Sequence, residues 1–194
     1  FKWALKEIGF EVQSLAGYVG RVAGEPERES SHLFLRVDCD EPLFVDVSYG
    51  GSLWAPMPLT SCTVEQPPYT LSIAPVGDGW FRWTEQAHDI TSTLDFTLTP
   101  VGPTYFDKTS HHLQTAPDSP FVRTLTAQRR YADRHVVLRG LVMRTIAADG
   151  VREMVLGSGE ELVACLRDEF GLDVPEVAEC WERLRERREE ILNI

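Results

Sequence analysis

The sequence is short of positive charge: 19 Lys and Arg stand against 30 Asp and Glu, for a formal net charge of −11. Surfaces that read nucleic-acid phosphate or an anionic membrane depend on clustered Lys and Arg, so neither partner is expected. Long apolar runs are missing too. No stretch approaches the roughly 20 residues that a membrane helix needs, and no basic start followed by an apolar stretch marks a signal peptide. Cysteine is sparse. Cys39, Cys62, Cys165 and Cys180 lie far apart with no CxxC pair, which indicates neither a zinc site nor a disulfide framework. A reduced, cytoplasmic setting is expected. The signatures GxGxxG, GxxxxGKS/T and GxSxG are absent, and Gly157-Ser158-Gly159 reads as a helix start.

What is present is ordinary for a soluble globular protein: 43% apolar and 25% charged residues over 194 positions, enough for one large domain or two small ones. FKWALKEIGF reads as the last turns of a helix, with Phe1, Leu5 and Ile8 apolar and Gly9 as its C-cap glycine. With no N-cap residue ahead of Phe1, the helix is expected to start upstream of the sequence. From Phe10 to about Leu98 the signals are those of short strands. His32 to Val37 and Leu43 to Val47 flank the turn-rich Asp38-Cys39-Asp40-Glu41-Pro42. Tyr69 to Ala74 and Trp80 to Thr84 flank Gly77-Asp78-Gly79, and Leu94, Phe96 and Leu98 alternate cleanly. Such strands predict a small antiparallel barrel or sandwich.

Residues 99 to about 130 carry Pro100, Pro103, Pro117 and Pro120 and read as a connector with a helical turn or two. Beyond it the pattern predicts a hairpin, His135 to Ile146 and Val151 to Leu156 about Ala148-Asp149-Gly150. Ser158 and Glu161 form a capping box opening a helix that closes at Gly171. A last helix from Pro175 carries Val177, Trp181, Leu184 and Ile191 as its apolar stripe. Its charged face, Glu182 to Glu190, is solvated surface.

The chemistry lies around the 38–42 turn. If paired residues there sum to an even number near 78–80, His32 stands opposite or diagonal to Asp46 on one face; a slip of one residue separates them. An imidazole beside a carboxylate has a fixed tautomer and can serve a thiol or hydroxyl as its base, although most His–Asp pairs are structural hydrogen bonds. Tyr49, Gly50 and Gly51 read, on composition alone, as barrel core and turn glycines. His111-His112 reads as a solvated loop pair without the further ligands a metal site needs.

FKWALKEIGFEV, SHLFLRV, LFVDVSYGG and HLQTAPDSPF together resemble, in order and at similar spacing, successive blocks of the arylamine N-acetyltransferase family. The resemblance covers nearly the whole chain and weakens after about residue 125. It implies an α+β chain: the tail of an N-terminal helical domain (1–10), a β-barrel domain (11–98) carrying His32 and Asp46, then a connector and α/β lid (99–194). It also implies a Cys-His-Asp triad as in cysteine proteases and transglutaminases. His32 matches the family histidine, and Asp46 the aspartate of its V-D-x-G-F/Y-G pattern, where Ser48 replaces the first glycine. The family cysteine belongs to an RGGxCxE-like stretch ahead of the first helix, absent from these residues, so this chain by itself is expected to be inactive. The implied reaction is ping-pong acetyl transfer from acetyl-CoA, as acyl donor, to a small aromatic amine or hydrazine, with no metal.

In that resemblance Val19, Tyr49 and Gly50 line the acceptor side, while His112, Asp118 and Ser119 lie toward CoA. The Ser48-Tyr49-Gly50 turn is expected to offer N–H groups to an oxyanion. The segment bearing the cysteine, supplied as a separate chain, is an alternative partner. Rival readings are a macrolactam-forming amide synthase of the same family, a transglutaminase-like thiol hydrolase, and a non-catalytic binding module that has lost the cysteine.

Overall fold

A computed structural model describes residues 1–22, 30, 32–50 and 53–192; Gly51 and the side chain of Ile191 lie outside the described residues. The chain divides into two units, Phe1–His112 and Leu113–Ile194.

In the first unit α1 (Lys2–Glu7) ends where Gly9 takes a φ of 98°. Gly9 N–H donates to the Lys6 carbonyl and Phe10 N–H to that of Leu5, the paired bonds that close a helix on a left-handed glycine. Leu5 packs on Val12, Leu35, Val37 and Val45, so α1 covers one patch of the sheet that follows.

That sheet is antiparallel and eight-stranded. Its strands are β1 (Glu11–Val19), β2 (His32–Asp38), β3 (Pro42–Val45), β4 (Met57–Pro58), β5 (Cys62–Gln66), β6 (Tyr69–Gly77), β7 (Trp80–Ala87) and β8 (Ile90–Pro100). They lie in the order β4-β3-β2-β1-β8-β7-β6-β5. In a flat sheet β3 and β7, four places apart, would stand roughly 19 Å from one another. Yet the ring of Phe44 on β3 stacks on Trp83 of β7 with centroids 5.9 Å apart. The sheet therefore curls into a nearly closed barrel around Leu15, Phe34, Phe44, Trp83, Leu94 and Phe96, none more than 1% exposed. A side chain bridges the gap between its edges. The Gln66 carboxamide on β5 accepts from Trp54 N–H and Ala55 N–H and donates to the Ala55 carbonyl, just before β4.

The alternation expected of β8 holds for Leu94 and Phe96 but not for Leu98, which is 39% exposed. Leu98 lies beyond the last β7 partner, Phe81 opposite Phe96. Between them Asp95 is fully buried, because Arg82 grips it at 2.6 and 2.9 Å and Arg21 at 3.2 Å. α2 (Asp107–Thr115) follows and contains the division between the units.

In the second unit, α3 (Pro120–Arg123) precedes a four-stranded antiparallel sheet ordered β12-β11-β10-β9. Its strands are β9 (Thr126–Arg130), β10 (Arg134–Arg139), β11 (Val142–Ala147) and β12 (Gly150–Val155). Two sequence expectations are corrected here. β9 was hidden in the presumed connector, because this edge strand reads Thr-Ala-Gln-Arg-Arg and buries no side chain fully. The single run from His135 to Ile146 is two strands, turned at Gly140 with a φ of 60°. The turn lacks a polar sequence signal because its second residue, Leu141, is a core residue only 3% exposed.

α4 (Gly159–Phe170) lays Leu162, Cys165, Leu166 and Phe170 on this sheet. Ser158 Oγ accepts from Glu161 N–H, as a capping box requires. The Glu161 carboxylate, however, reaches back to Gly157 N–H instead of Ser158. The chain leaves α4 through Gly171 in the left-handed region. From Pro175 it makes a 3₁₀ turn to Cys180 before α5 (Trp181–Leu192), and Val177 and Leu184 complete the core.

Candidate active site

The β2–β3 register decides the site. Leu35 pairs with Val45 and Asp38 with Pro42, so partners sum to 80 and Asp46 is level with Phe34, diagonal to His32 on the same face. His32 Nε2 meets Asp46 Oδ2 in a hydrogen bond, with the side chains 12% and 4% exposed. Asp46 Oδ1 accepts three more: Ser48 N–H at 2.8 Å, Ser48 Oγ at 3.1 Å and Tyr49 N–H at 3.2 Å. This is the turn that an aspartate makes with backbone two residues on. With Nε2 bonded to a carboxylate, that nitrogen carries the proton, and Nδ1 becomes the basic one. Among the described residues no hydrogen bond engages Nδ1.

The two N–H groups spent on Asp46 correct one expectation. Ser48 N–H and Tyr49 N–H face the carboxylate and are not free to hold an oxyanion. Ser48, where the family pattern has glycine, adds its hydroxyl to the same oxygen.

The surroundings lock the pair from the barrel side. The Tyr49 ring meets His32 edge-on, with centroids 5.0 Å apart, and meets Trp83 in the same way. Its hydroxyl is 2.5 Å from Ser92 Oγ on β8. Burial pushes the Tyr49 phenol above its ordinary value; the Ser92 hydrogen bond opposes this, and the carboxylates of Glu85 and Asp46 add to it. Opposite His32 on β1 stands Gly17, where a Cβ would come within 2.6 Å of Leu94 Cδ1. Ser30, 2% exposed, donates to the Gly17 carbonyl and pins the entry to β2.

His32, Asp46 and Tyr49 are thus brought together. Gly50 follows with a φ of 107°. Val19 ends β1 opposite Leu94 and is 44% exposed. His112 is an exposed residue of α2, and Asp118 is exposed in the turn before α3. Ser119 is 1% exposed and caps α3, with Oγ accepting from Phe121 N–H and donating to the Leu113 carbonyl. Sequence reasoning missed Ser92, Trp83 and Ser30. None carries a local signal, whereas Asp46-Val47-Ser48 could have been read as an Asx turn.

Cys62 donates to the Pro58 carbonyl, and burial pushes its thiol up, as it does that of Cys165. Among the described residues no group of three or more His, Cys, Asp or Glu is placed to hold a metal ion. No helix there is long and apolar enough to cross a membrane.

Comparison with known proteins points to one family. A family model described as N-acetyltransferase matches residues 1–178. Arylamine N-acetyltransferase 1 of Mus musculus is 31% identical over 144 residues, 63% of this chain and 50% of the relative. The arylamine N-acetyltransferase of Mycolicibacterium smegmatis is 27% identical over 185 residues, 91% of this chain and 66% of the relative. The structure of Mycobacterium marinum arylamine N-acetyltransferase in complex with CoA superposes with a TM-score of 0.81 at 26% identity, over 96% of this chain and 71% of that one. The chain spans about half the length of the mouse relative.

Proposed function

The chain belongs to the N-acetyltransferase family, and from that premise we propose that it is the His–Asp-bearing part of an enzyme that acetylates an arylamine or hydrazine from acetyl-CoA through an acyl-cysteine. The observation that carries this reading is the His32 Nε2–Asp46 contact, which leaves Nδ1 as the base.

The nucleophile is a thiol outside these 194 residues. Cys62 and Cys165 have thiols raised by burial, the reverse of an activated nucleophile. Among the described residues none of the four cysteines hydrogen-bonds to His32.

In the first half-reaction His32 Nδ1 takes the thiol proton, and Asp46 stabilises the imidazolium. The thiolate attacks the acetyl carbonyl, the carbonyl–sulfur bond of acetyl-CoA breaks, and CoA leaves with the proton from His32. In the second half-reaction the amine attacks the acyl-cysteine, His32 receives the amine proton, and the thiolate departs. Tyr49 walls the acceptor side, with Val19 and Gly50 as its other assigned members. The assignment of His112 and Asp118 to the CoA side rests on the HLQTAPDSPF resemblance, and the Mycobacterium marinum relative holds CoA. Ser119, 1% exposed with its hydroxyl engaged by Phe121 N–H and the Leu113 carbonyl, serves that segment by capping α3 and not by touching a ligand.

The test is to incubate the full-length protein with acetyl-CoA and no amine, then map adducts by intact mass and peptide analysis. One acetyl group on a cysteine, lost in His32→Ala and discharged onto an arylamine, is the expected result. Folded protein that takes no acetyl group from acetyl-CoA refutes it and turns attention to a carrier-bound acyl donor or to binding alone.

A further inference from the structure

Tyr49 touches both members of the pair. Its N–H donates to Asp46 Oδ1, and its ring stands edge-on to His32. It lies beyond the end of β3, so no strand ladder holds it. A ring on a turn has two side-chain torsions to lose before it can brace anything. The far end of the ring is held from another part of the barrel: Ser92, on β8 and opposite Glu85 of β7, sits 2.5 Å from the Tyr49 hydroxyl.

We propose that Ser92 is a positioning residue for the His32–Asp46 pair, acting as a latch on the Tyr49 hydroxyl. Tyr49 has one fixed point on Asp46 through its backbone and a second on Ser92 through its hydroxyl. The ring between them can only lie against the imidazole. In that place it keeps water from the His32–Asp46 hydrogen bond, whose partners are 12% and 4% exposed. Trp83, 1% exposed, also meets the Tyr49 ring edge-on and limits its movement. The inference rests on this geometry and not on the acyl-transfer reading, so either can fail alone.

The test is made on the full-length protein by NMR at low temperature, reading the exchange of the His32 Nε2–H proton with water. Ser92→Ala and Tyr49→Phe are each expected to speed that exchange by about three- to tenfold, the factor one net hydrogen bond supplies. The double variant should exchange no faster than either single one, because both remove the same bond. Ser92→Thr, which restores the hydroxyl, should return the parent rate; a purely structural role at this position would not track the hydroxyl. Parent-rate exchange in Tyr49→Phe, or effects of the two substitutions that multiply in the double variant, would overturn the proposal. Tyr49→Phe keeps the ring volume, so it carries the test even if Ser92→Ala unfolds.

Discussion

Asp46 stands diagonal to His32 across the β2–β3 pair, and its two oxygens serve different partners. Oδ2 meets the imidazole, while Oδ1 gathers the backbone and hydroxyl donors of residues 48 and 49. One side chain thus orients the base and folds the turn that carries Tyr49.

Two substitutions at Asp46 separate these duties. Asp46→Ala removes the acceptor of the exposed Ser48 N–H and the half-buried Tyr49 N–H and should cost about 0.5–1.5 kcal/mol, read as a lower urea midpoint at unchanged m. Asp46→Asn can keep the Oδ1 bonds, but its NH₂ at the other position can only donate to His32 Nε2. The imidazole proton must then move to Nδ1. The expected outcome is near-parent stability, a reversed tautomer in the His32 ¹⁵N shifts, and acetyl loading of the full-length protein slowed by about 10²–10⁴. Loading at the parent rate with Asn in place would remove Asp46 from the mechanism.

Gly17 faces Leu94 beneath His32, with no room for a methyl group. Gly17→Ala should destabilise the chain by about 1–3 kcal/mol through overpacking. Gly102, with nothing within 4 Å of an added Cβ, is the control, and Gly102→Ala should be close to neutral. Equal midpoints for the two variants would contradict the packing argument.

Tyr49 supplies a pH dependence with a definite sign. Its phenol is raised by burial first, so the folded state holds that proton more tightly than the unfolded chain. The associated stability is complete below the unfolded value of about 10 and is lost as pH rises through the higher folded value. Urea midpoints should therefore fall above about pH 10, with a smaller fall in Tyr49→Phe. A parent and variant with the same alkaline profile would show that Tyr49 does not ionise late.

The cysteines should react in order of exposure. Cys39 is exposed, while Cys165 is 7% exposed with a thiol raised by burial, then by Glu169 and Asp168. A maleimide at neutral pH should label Cys39 first and Cys165 only in denaturant. Early labelling of Cys165, followed by peptide mapping, would mean that α4 opens in the native state.

Much of the barrel was legible because its signals are local. Strand pairs with an obvious turn, such as Tyr69–Gly77 with Trp80–Ala87, announce themselves through β-branched and aromatic residues on either side of glycine. Gly9 and Gly171 announce helix ends, since a left-handed residue is needed there. β9 and the Gly140-Leu141 turn were illegible because burial, not propensity, chose their residues: an edge strand tolerates Arg and Gln, and a turn facing the core takes Leu. The burial of Asp95 had no local signal either, because it depends on Arg82 of the neighbouring strand and on Arg21, which close over it.

By itself the sequence determined that His32 and Asp46 flank one tight turn and that an even register would put them on one face. The family blocks added which residues to watch. Only the tertiary structure decided that the register is 80, that Tyr49 is held between His32, Trp83 and Ser92, and that the turn N–H groups are spent on Asp46. The reason is physical. A register is chosen by the burial of a whole face at once, and contacts between strands four places apart exist only after the sheet has curled.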